Sequence, residues 1–514
     1  MKLLHHPFQS IGALVLALGL IAPGSPLAAV AAKPNVLFIL VDDLKPLTHS
    51  YGDPIVQTPH LDRLAARGVQ FNRAYCNQSV CGPSRYNLML GARSTSLGVY
   101  GFGRDFRVAF PDAVTLPQHF QQHGYTTQSI GKVFHVGHGM YDDNASWSVP
   151  AVHDKVIEYV LPASTNGGQL TREEAYFGNV KTDTPNKDLP RGAAWEMPEV
   201  ADNAYADGRV ADLAITRLAT LQKAGTPFFL AVGFARPHLP FSVPKKYWDL
   251  YDRAQLPLAA NPLPPEGAPP YAMKGLLELD QFDPVPEKGP LDEELQRSLI
   301  HGYYASVSYV DAQIGHVLDA LTRSGLATNT IVVLWGDNGF SFGTHGDWTK
   351  HTTYEDSNRI PIIIAGPGVK SGTPTEALIE TVDLYPTLAA LAGLPAPNGP
   401  QPLDGLSQLP VLQDPAHARV KDHVYHVAPR PRPELQDGVW LGRAIRTERY
   451  RYVKWLPFKP TRAEPGIELY DYATDPHETV NVAAQHPEIV AQLHALLERQ
   501  PTPRVPLKPS GRTQ

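Results

Sequence analysis

The chain has 514 residues, 43% of them apolar, enough for one large core or two domains. Its formal charge is −6 and its 45 basic residues form no dense cluster, which argues against nucleic acid as the main ligand. An anionic substrate would therefore need a local cationic pocket.

Residues 1–31 read as an export signal. Lys2 precedes an apolar run from Ile11 to Ala22, and Ala29-Val30-Ala31 supplies a small-x-small cleavage pattern. The run is about a dozen residues, too short to span a bilayer comfortably. Cleavage near Ala31 and export to the periplasm or beyond are expected. No later segment is apolar and long enough for stable membrane insertion.

Four strand-length apolar runs end in polar residues. Val36–Val41 reaches Asp42-Asp43, Thr126–Ile130 reaches Gly131-Lys132 and His135, Phe228–Phe234 reaches Arg236-Pro237-His238, and Ile331–Trp335 reaches Gly336-Asp337-Asn338. Unbroken apolar runs predict strands covered on both faces, as in α/β sheets. Helical patterns lie between them: Leu61, Leu64 and Ala65 before Gly68; Leu116 and Phe120 before Gly124; Leu213, Leu218 and Leu221 before Gly225; and a longer pattern from Ser298 to Leu321. Alternating strands and helices predict a crevice at the carboxyl edge of the sheet, lined by those polar residues. The Pro-rich stretches 142–198 and 256–289 read as excursions that form pocket walls. From about Val420 the texture becomes short alternating segments followed by a helical pattern, Ile489 to Leu497, which predicts a smaller antiparallel α+β domain. The expected division is a signal peptide at 1–31, a catalytic α/β domain at 32–412 and a C-terminal α+β subdomain at 413–514.

Asp42-Asp43 and Asp337-Asn338 each follow a strand. Two carboxylates brought together repel unless a cation or proton intervenes, and hard oxygen ligands suit calcium or magnesium. A turn or helix cap is the alternative reading of an isolated Asp-Asp. The only two cysteines, Cys76 and Cys81, could close a small loop bridge. In Cys81-Gly82-Pro83-Ser84-Arg85, however, Pro83 suits the first turn of a helix and places Cys81 at its positive end.

Cys-x-Pro-Ser-Arg resembles the signature of the type I, formylglycine-dependent sulfatase family, in its iduronate-2-sulfatase branch. The similarity extends through NVLFILVDDLKP, TPHLDRLAARGVQFNRAYCNQSVCGPSR, GYTTQSIGKVFH, PFFLAVGFARPHLPF, YYASVSYVDAQIGHVLDAL, GDNGFSFGTHGDWTKHTTYE and ELYDYATDPHETVN, in family order from Asn35 to about Asn481. Two departures stand out. Leu90-Gly91-Ala92 replaces a frequent Thr-Gly-Arg that helps the maturation enzyme recognise its target, and Asn338 replaces the branch's His.

The resemblance implies an alkaline-phosphatase-like α/β fold with a mostly parallel central sheet. It implies one Ca2+ held by Asp42, Asp43, Asp337, Asn338 and the modified Cys81, which a formylglycine-generating enzyme converts to 3-oxoalanine. It further implies that Arg85 holds the formylglycine and sulfate region and that Lys132, His135 and Lys350 contact the sulfate. His238 then faces the leaving oxygen. The hydrated aldehyde attacks sulfur, His238 protonates the leaving alcohol, and the second hydroxyl expels sulfate as His135 takes its proton. The implied substrate is a 2-O-sulfated uronic acid in a polysaccharide or its fragments. Arg104, Arg236, Arg430 and Arg432 are available for its carboxylate, and His345 and Trp348 for the sugar. Asp471, Asp475 and Glu478 read as structural. The competing readings are a formylglycine-dependent phosphonate or phosphodiester hydrolase and a catalytically silent glycan-binding homologue.

Overall fold

The computed structural model describes residues 33–276, 278–431, 439–458 and 465–510. The expected signal peptide and Arg432 lie outside the described residues. Seven strands form the central sheet: β1 (Asn35–Val41), β2 (Gly68–Tyr75), β3 (Thr126–Gly131), β4 (Phe228–Phe234), β5 (Thr330–Gly336), β6 (Ile362–Ala365) and β7 (Thr373–Glu380). Their spatial order is β7-β2-β6-β5-β1-β4-β3, and only β6 runs antiparallel to its neighbours.

The apolar runs become strands because both of their faces are covered. Leu37, Ile39 and Val41 enter one hydrophobic cluster, while Val36, Phe38 and Leu40 enter another on the opposite face. Each such side chain contributes about 1.5–3 kcal/mol on burial. The helices include α1 (Cys81–Leu90), α2 (Ala206–Ala224), α3 (Glu293–Arg323) and α4 (Pro487–Glu498). Asp292 caps α3 by accepting from the Leu295 amide at 2.8 Å. Among the described residues, no helix is long and apolar enough to cross a membrane.

Register makes the strand ends level. Val41 lies opposite both Phe234 and Gly336, and Gly131 lies opposite Gly233. The residues that follow β1, β3, β4 and β5 therefore emerge at one edge. β2, β6 and β7 carry weaker signals in the sequence. β2 mixes Gln70, Asn72 and Arg73 with apolar residues, β6 is short and follows Pro361, and β7, at the sheet edge, contains Pro374 and Glu376.

The C-terminal part forms a second, antiparallel sheet of β8 (His423–Pro431), β9 (Val439–Thr447), β10 (Tyr450–Pro457) and β11 (Gly466–Asp471), paired in sequence order. Leu493 and Leu497 of α4 pack with Tyr425, Ile445 and Leu469 of this sheet. Asp471 accepts from Arg449 at 2.8 and 2.7 Å and Asp475 accepts from the Thr479 amide at 2.6 Å, so both hold turns.

The approach of β3 to β4 leaves no room for a side chain at Gly233, where a Cβ would lie 2.1 Å from the Lys132 carbonyl oxygen. Gly233→Ala should lower unfolding free energy by about 1–3 kcal/mol and reduce activity by shifting Lys132. Denaturant melts and initial rates would show this. A fully native melt and rate would mean that the two strands separate freely here.

Candidate active site

β1 ends at Val41, and Asp43 takes a left-handed conformation with φ 59°. This break in the extended backbone lets two adjacent carboxylates serve one site, since regular strand geometry would send them to opposite faces. The turn is held from α3: the Tyr303 hydroxyl donates to the Asp43 carbonyl at 2.6 Å and accepts from the Lys45 amide at 3.0 Å. Across the edge, the Asp43 amide donates to Asp337 Oδ1 at 2.9 Å.

Cys81 is the first residue of α1, with Pro83 in its first turn. Four residues later on the same helix, Arg85 is wholly buried. Its Nη2 donates to Asp42 Oδ1 at 3.0 Å, its Nε to Asp337 Oδ2 at 3.0 Å, and its Nη1 to the Val133 carbonyl at 3.0 Å and to the Lys132 carbonyl. The Ser84 hydroxyl adds a 2.6 Å bond to the Asp337 carbonyl. Cys76 and Cys81 are both free thiols, so the two do not form a loop bridge. Burial pushes the Cys81 thiol up to about 12, against the pull of Lys350 and Lys132.

Two lysines meet the carboxylates. Lys132 pairs with Asp42, and Lys350 Nζ lies 2.6 Å from both oxygens of Asp43. Burial alone would lower the Lys350 ammonium, but Asp43 holds it well above its usual range. His238 donates from Nδ1 to the Leu239 carbonyl at 2.6 Å, which leaves Nε2 facing the site, 4.0 Å from Asp43. His135 is fully buried, stacks on Phe102 at 4.8 Å between ring centroids, and has no hydrogen-bond partner at either nitrogen. Burial and Lys132 keep it well below the usual histidine range, hence neutral.

The donor set fits a hard divalent cation. Ligand atoms of Asp42, Cys81 and Asp337 lie within 4.8 Å of one another, as do those of Asp43, Cys81 and His238. Asn338 Nδ2 donates to Asp43 Oδ1 at 2.8 Å, while its buried Oδ1 has no partner. An orphaned amide oxygen beside three carboxylates is an oxygen-ligand arrangement that suits a hard divalent cation.

The five substrate candidates among the described residues sit further out. Arg236 donates to the carbonyls of His238, Pro240 and Val156, so its guanidinium fixes the backbone around His238. Arg104 donates to the carbonyls of Leu507 and Phe102, and Arg430 to those of Tyr271 and Ala272. His345 Nε2 donates to the His477 carbonyl at 2.9 Å in a cavity of about 360 Å³ that also contains Tyr354 and Glu478. Trp348 is buried in the core cluster that includes Phe340.

The structure also brings in residues that the sequence reading passed over. Glu278 Oε1 lies 3.2 Å from His238 Nε2 and 3.0 Å from Lys350 Nζ, and its Oε2 lies 3.5 Å from His351 Nε2. Burial would raise Glu278, but Lys350, with His238 and His351 alongside, holds it well below the usual carboxylate range. His138 stacks between Phe102 and Tyr176, at 4.8 and 5.3 Å. His351 was adjacent to a candidate lysine, and that adjacency was the available signal. Glu278 lies in an aperiodic stretch that carried none.

A level sheet edge with a helix-borne cysteine, three carboxylates and two buried lysines fits a hydrolase of the alkaline-phosphatase-like fold whose acidic cluster could hold a metal ion. Residues 34–394 match the sulfatase family, and residues 343–502 match the C-terminal region of N-sulphoglucosamine sulphohydrolase. The chain belongs to the sulfatase family and is a sulfuric ester hydrolase. Iduronate 2-sulfatase of Mus musculus is 32% identical over 516 residues, covering 87% of this chain and 90% of that protein. The solved structure of a 2-O GAG sulfatase is similar with a TM-score of 0.67 at 24% identity, covering 91% of each chain. Phosphonate monoester hydrolase from Silicibacter pomeroyi gives 0.70 at 24% identity, covering 91% of this chain and 95% of that one. The two structural likenesses concern the fold.

Removing the guanidinium would leave two buried carboxylates facing each other. Arg85→Ala should cost about 3–5 kcal/mol of stability, and added calcium should restore part of it. Thermal melts with and without calcium would test this, and a loss below about 1 kcal/mol would be too small for a buried pair.

Proposed function

We propose that the protein hydrolyses a 2-O-sulfate on a uronic acid of a sulfated polysaccharide or its oligosaccharides. The chemistry would use formylglycine made from Cys81 and one Ca2+ held by Asp42, Asp43, Asp337, Asn338 and the modified Cys81. The observation that carries the reading is the convergence of Cys81 with these oxygen ligands and with Lys132, Lys350 and His238 at one sheet edge. The uronate specificity draws its support from the 32% identity to iduronate 2-sulfatase across most of both chains.

When present, the metal polarises the sulfate and the hydrated aldehyde supplies a hydroxyl nucleophile. The remaining roles belong to side chains of this chain. Lys132 and Lys350 offset charge that builds on the sulfuryl oxygens, in a pocket where burial strengthens them. His238 has Nδ1 committed to a carbonyl, so Nε2 is the atom that protonates the leaving alcohol. His135, neutral and without a partner, accepts a proton from the nucleophile side. Arg85 orients the ligand carboxylates, and Arg236 orients the His238 segment.

His238→Ala should lower turnover by about 10²–10⁴-fold on alkyl sulfates and less on activated aryl sulfates, whose leaving groups need no proton. Equal losses on both would remove His238 as the acid.

Desulfation of defined 2-, 4- and 6-O-sulfated disaccharides tests the substrate. The 2-O-sulfated uronate should turn over fastest, and a preference for a 6-O-sulfate would overturn the specificity. Parallel assays on aryl sulfate and aryl phosphodiester should favour sulfate. Mass analysis of the Cys81 peptide from protein made in its native host should show the aldehyde, and an intact thiol in active protein would remove the mechanism.

A further inference from the structure

Glu278 is an anion set among groups that the proposed mechanism reserves for another anion. Its Oε1 touches His238 Nε2 at 3.2 Å and Lys350 Nζ at 3.0 Å. An imidazole nitrogen carries a single N–H, directed in the ring plane. Because His238 Nδ1 already donates to Leu239, a second proton on the ring sits at Nε2, which faces Glu278 Oε1 at 3.2 Å. The leaving oxygen of an ester needs that same proton. Lys350 is committed in the same way. Both Asp43 oxygens lie within 2.6 Å of its ammonium and Glu278 takes the outward side, where a sulfuryl oxygen would approach.

The position of Glu278 also leaves it a way out. Its side chain is 19% exposed, against 2% for His238 and 1% for Lys350, so it lies between those groups and solvent. Its backbone is held at φ 80°, ψ −46°, a conformation that non-glycine residues keep only where their surroundings impose it. A carboxylate whose only function was to orient His238 would normally sit behind the ring, at Nδ1. That place is filled by a main-chain carbonyl.

We infer that Glu278 is an internal competitor for sulfate, which pairs with His238 and Lys350 in the substrate-free protein and gives them up when the ester binds. The inference rests on the roles proposed above for His238 and Lys350. Its consequence is weakened binding of both ester and released sulfate, which favours product release. No bond is made or broken; one anion replaces another at the same donors.

The test is calorimetric titration of the full chain with sodium sulfate at constant ionic strength, comparing wild type with Glu278→Gln and Glu278→Ala. Both variants should bind sulfate roughly tenfold or more tightly, and the inhibition constant of sulfate and the KM of the ester should fall with it. Unchanged or weaker sulfate binding in both would overturn the inference. So would loss of cooperative melting in both, which would make Glu278 a structural tie. Because titration needs no turnover, a wild type inactive on sulfate esters would defeat the proposed function while the sulfate affinities still decide the role of Glu278.

Discussion

The arrangement depends on one buried cation. Arg85 sits with no solvent exposure between Asp42, which follows β1, and Asp337, which follows β5, while its third nitrogen reaches the carbonyls that follow β3. Three strand ends are thereby tied to the helix that begins at Cys81. An i, i+4 spacing puts Cys81 and Arg85 on the same face of α1, so the cysteine is located by the same interaction that gathers the carboxylates. A lysine would supply the charge but lacks the planar donor geometry that serves two carboxylates and two carbonyls at once.

Around this centre, each reacting group is held by something further out. Tyr303 of α3 fixes the left-handed turn at Asp43, and Arg236 fixes the chain around His238. The segment that carries Lys350 leans on the second sheet, where Glu355 accepts from Arg446 at 3.2 Å and Arg451 at 2.5 Å and its amide donates to Glu478 at 3.0 Å. His426 of β8 is bonded to the Thr353 carbonyl at 3.1 Å. The C-terminal part thus serves the site at one remove, by bonding the segment that follows Lys350.

This layering explains which parts could be read from the sequence. β1, β3, β4 and β5 were legible because burial on both faces demands unbroken apolar runs, and the polar residues that end them are the site. Asp42, Asp43, Asp337, Lys132 and His238 therefore announced themselves by position. Cys81, Arg85 and Lys350 depended on a motif, since a helix start and a loop lysine carry little signal alone. Glu278 was beyond reach because its Pro-rich segment has no periodicity and takes its conformation from contacts with Lys350 and His238. Arg104, Arg236 and Arg430 read in the sequence as candidates for a substrate carboxylate, yet each spends donors on main-chain carbonyls. A guanidinium can bury itself in this way wherever loops leave carbonyls unpaired, and composition gives no warning of it.

Charge balance links the centre to its periphery. Among the described residues, Arg85, Lys132 and Lys350 are the fixed cations that touch the cluster, while Asp42, Asp43, Asp337 and Glu278 are the carboxylates. The carboxylates outnumber the fixed cations by one. On the proposed chemistry, a divalent ion would turn that deficit into a surplus of one positive charge while Glu278 is in place. Once Glu278 has given way to the incoming ester, the surplus would be two, which suits the sulfate dianion that hydrolysis releases. The same burial that makes these charges effective also opposes a thiolate at Cys81, whose proton is held up to about 12. On the proposed reading, a hydroxyl on a modified Cys81 arrives neutral, avoids that cost and leaves the surplus for sulfate.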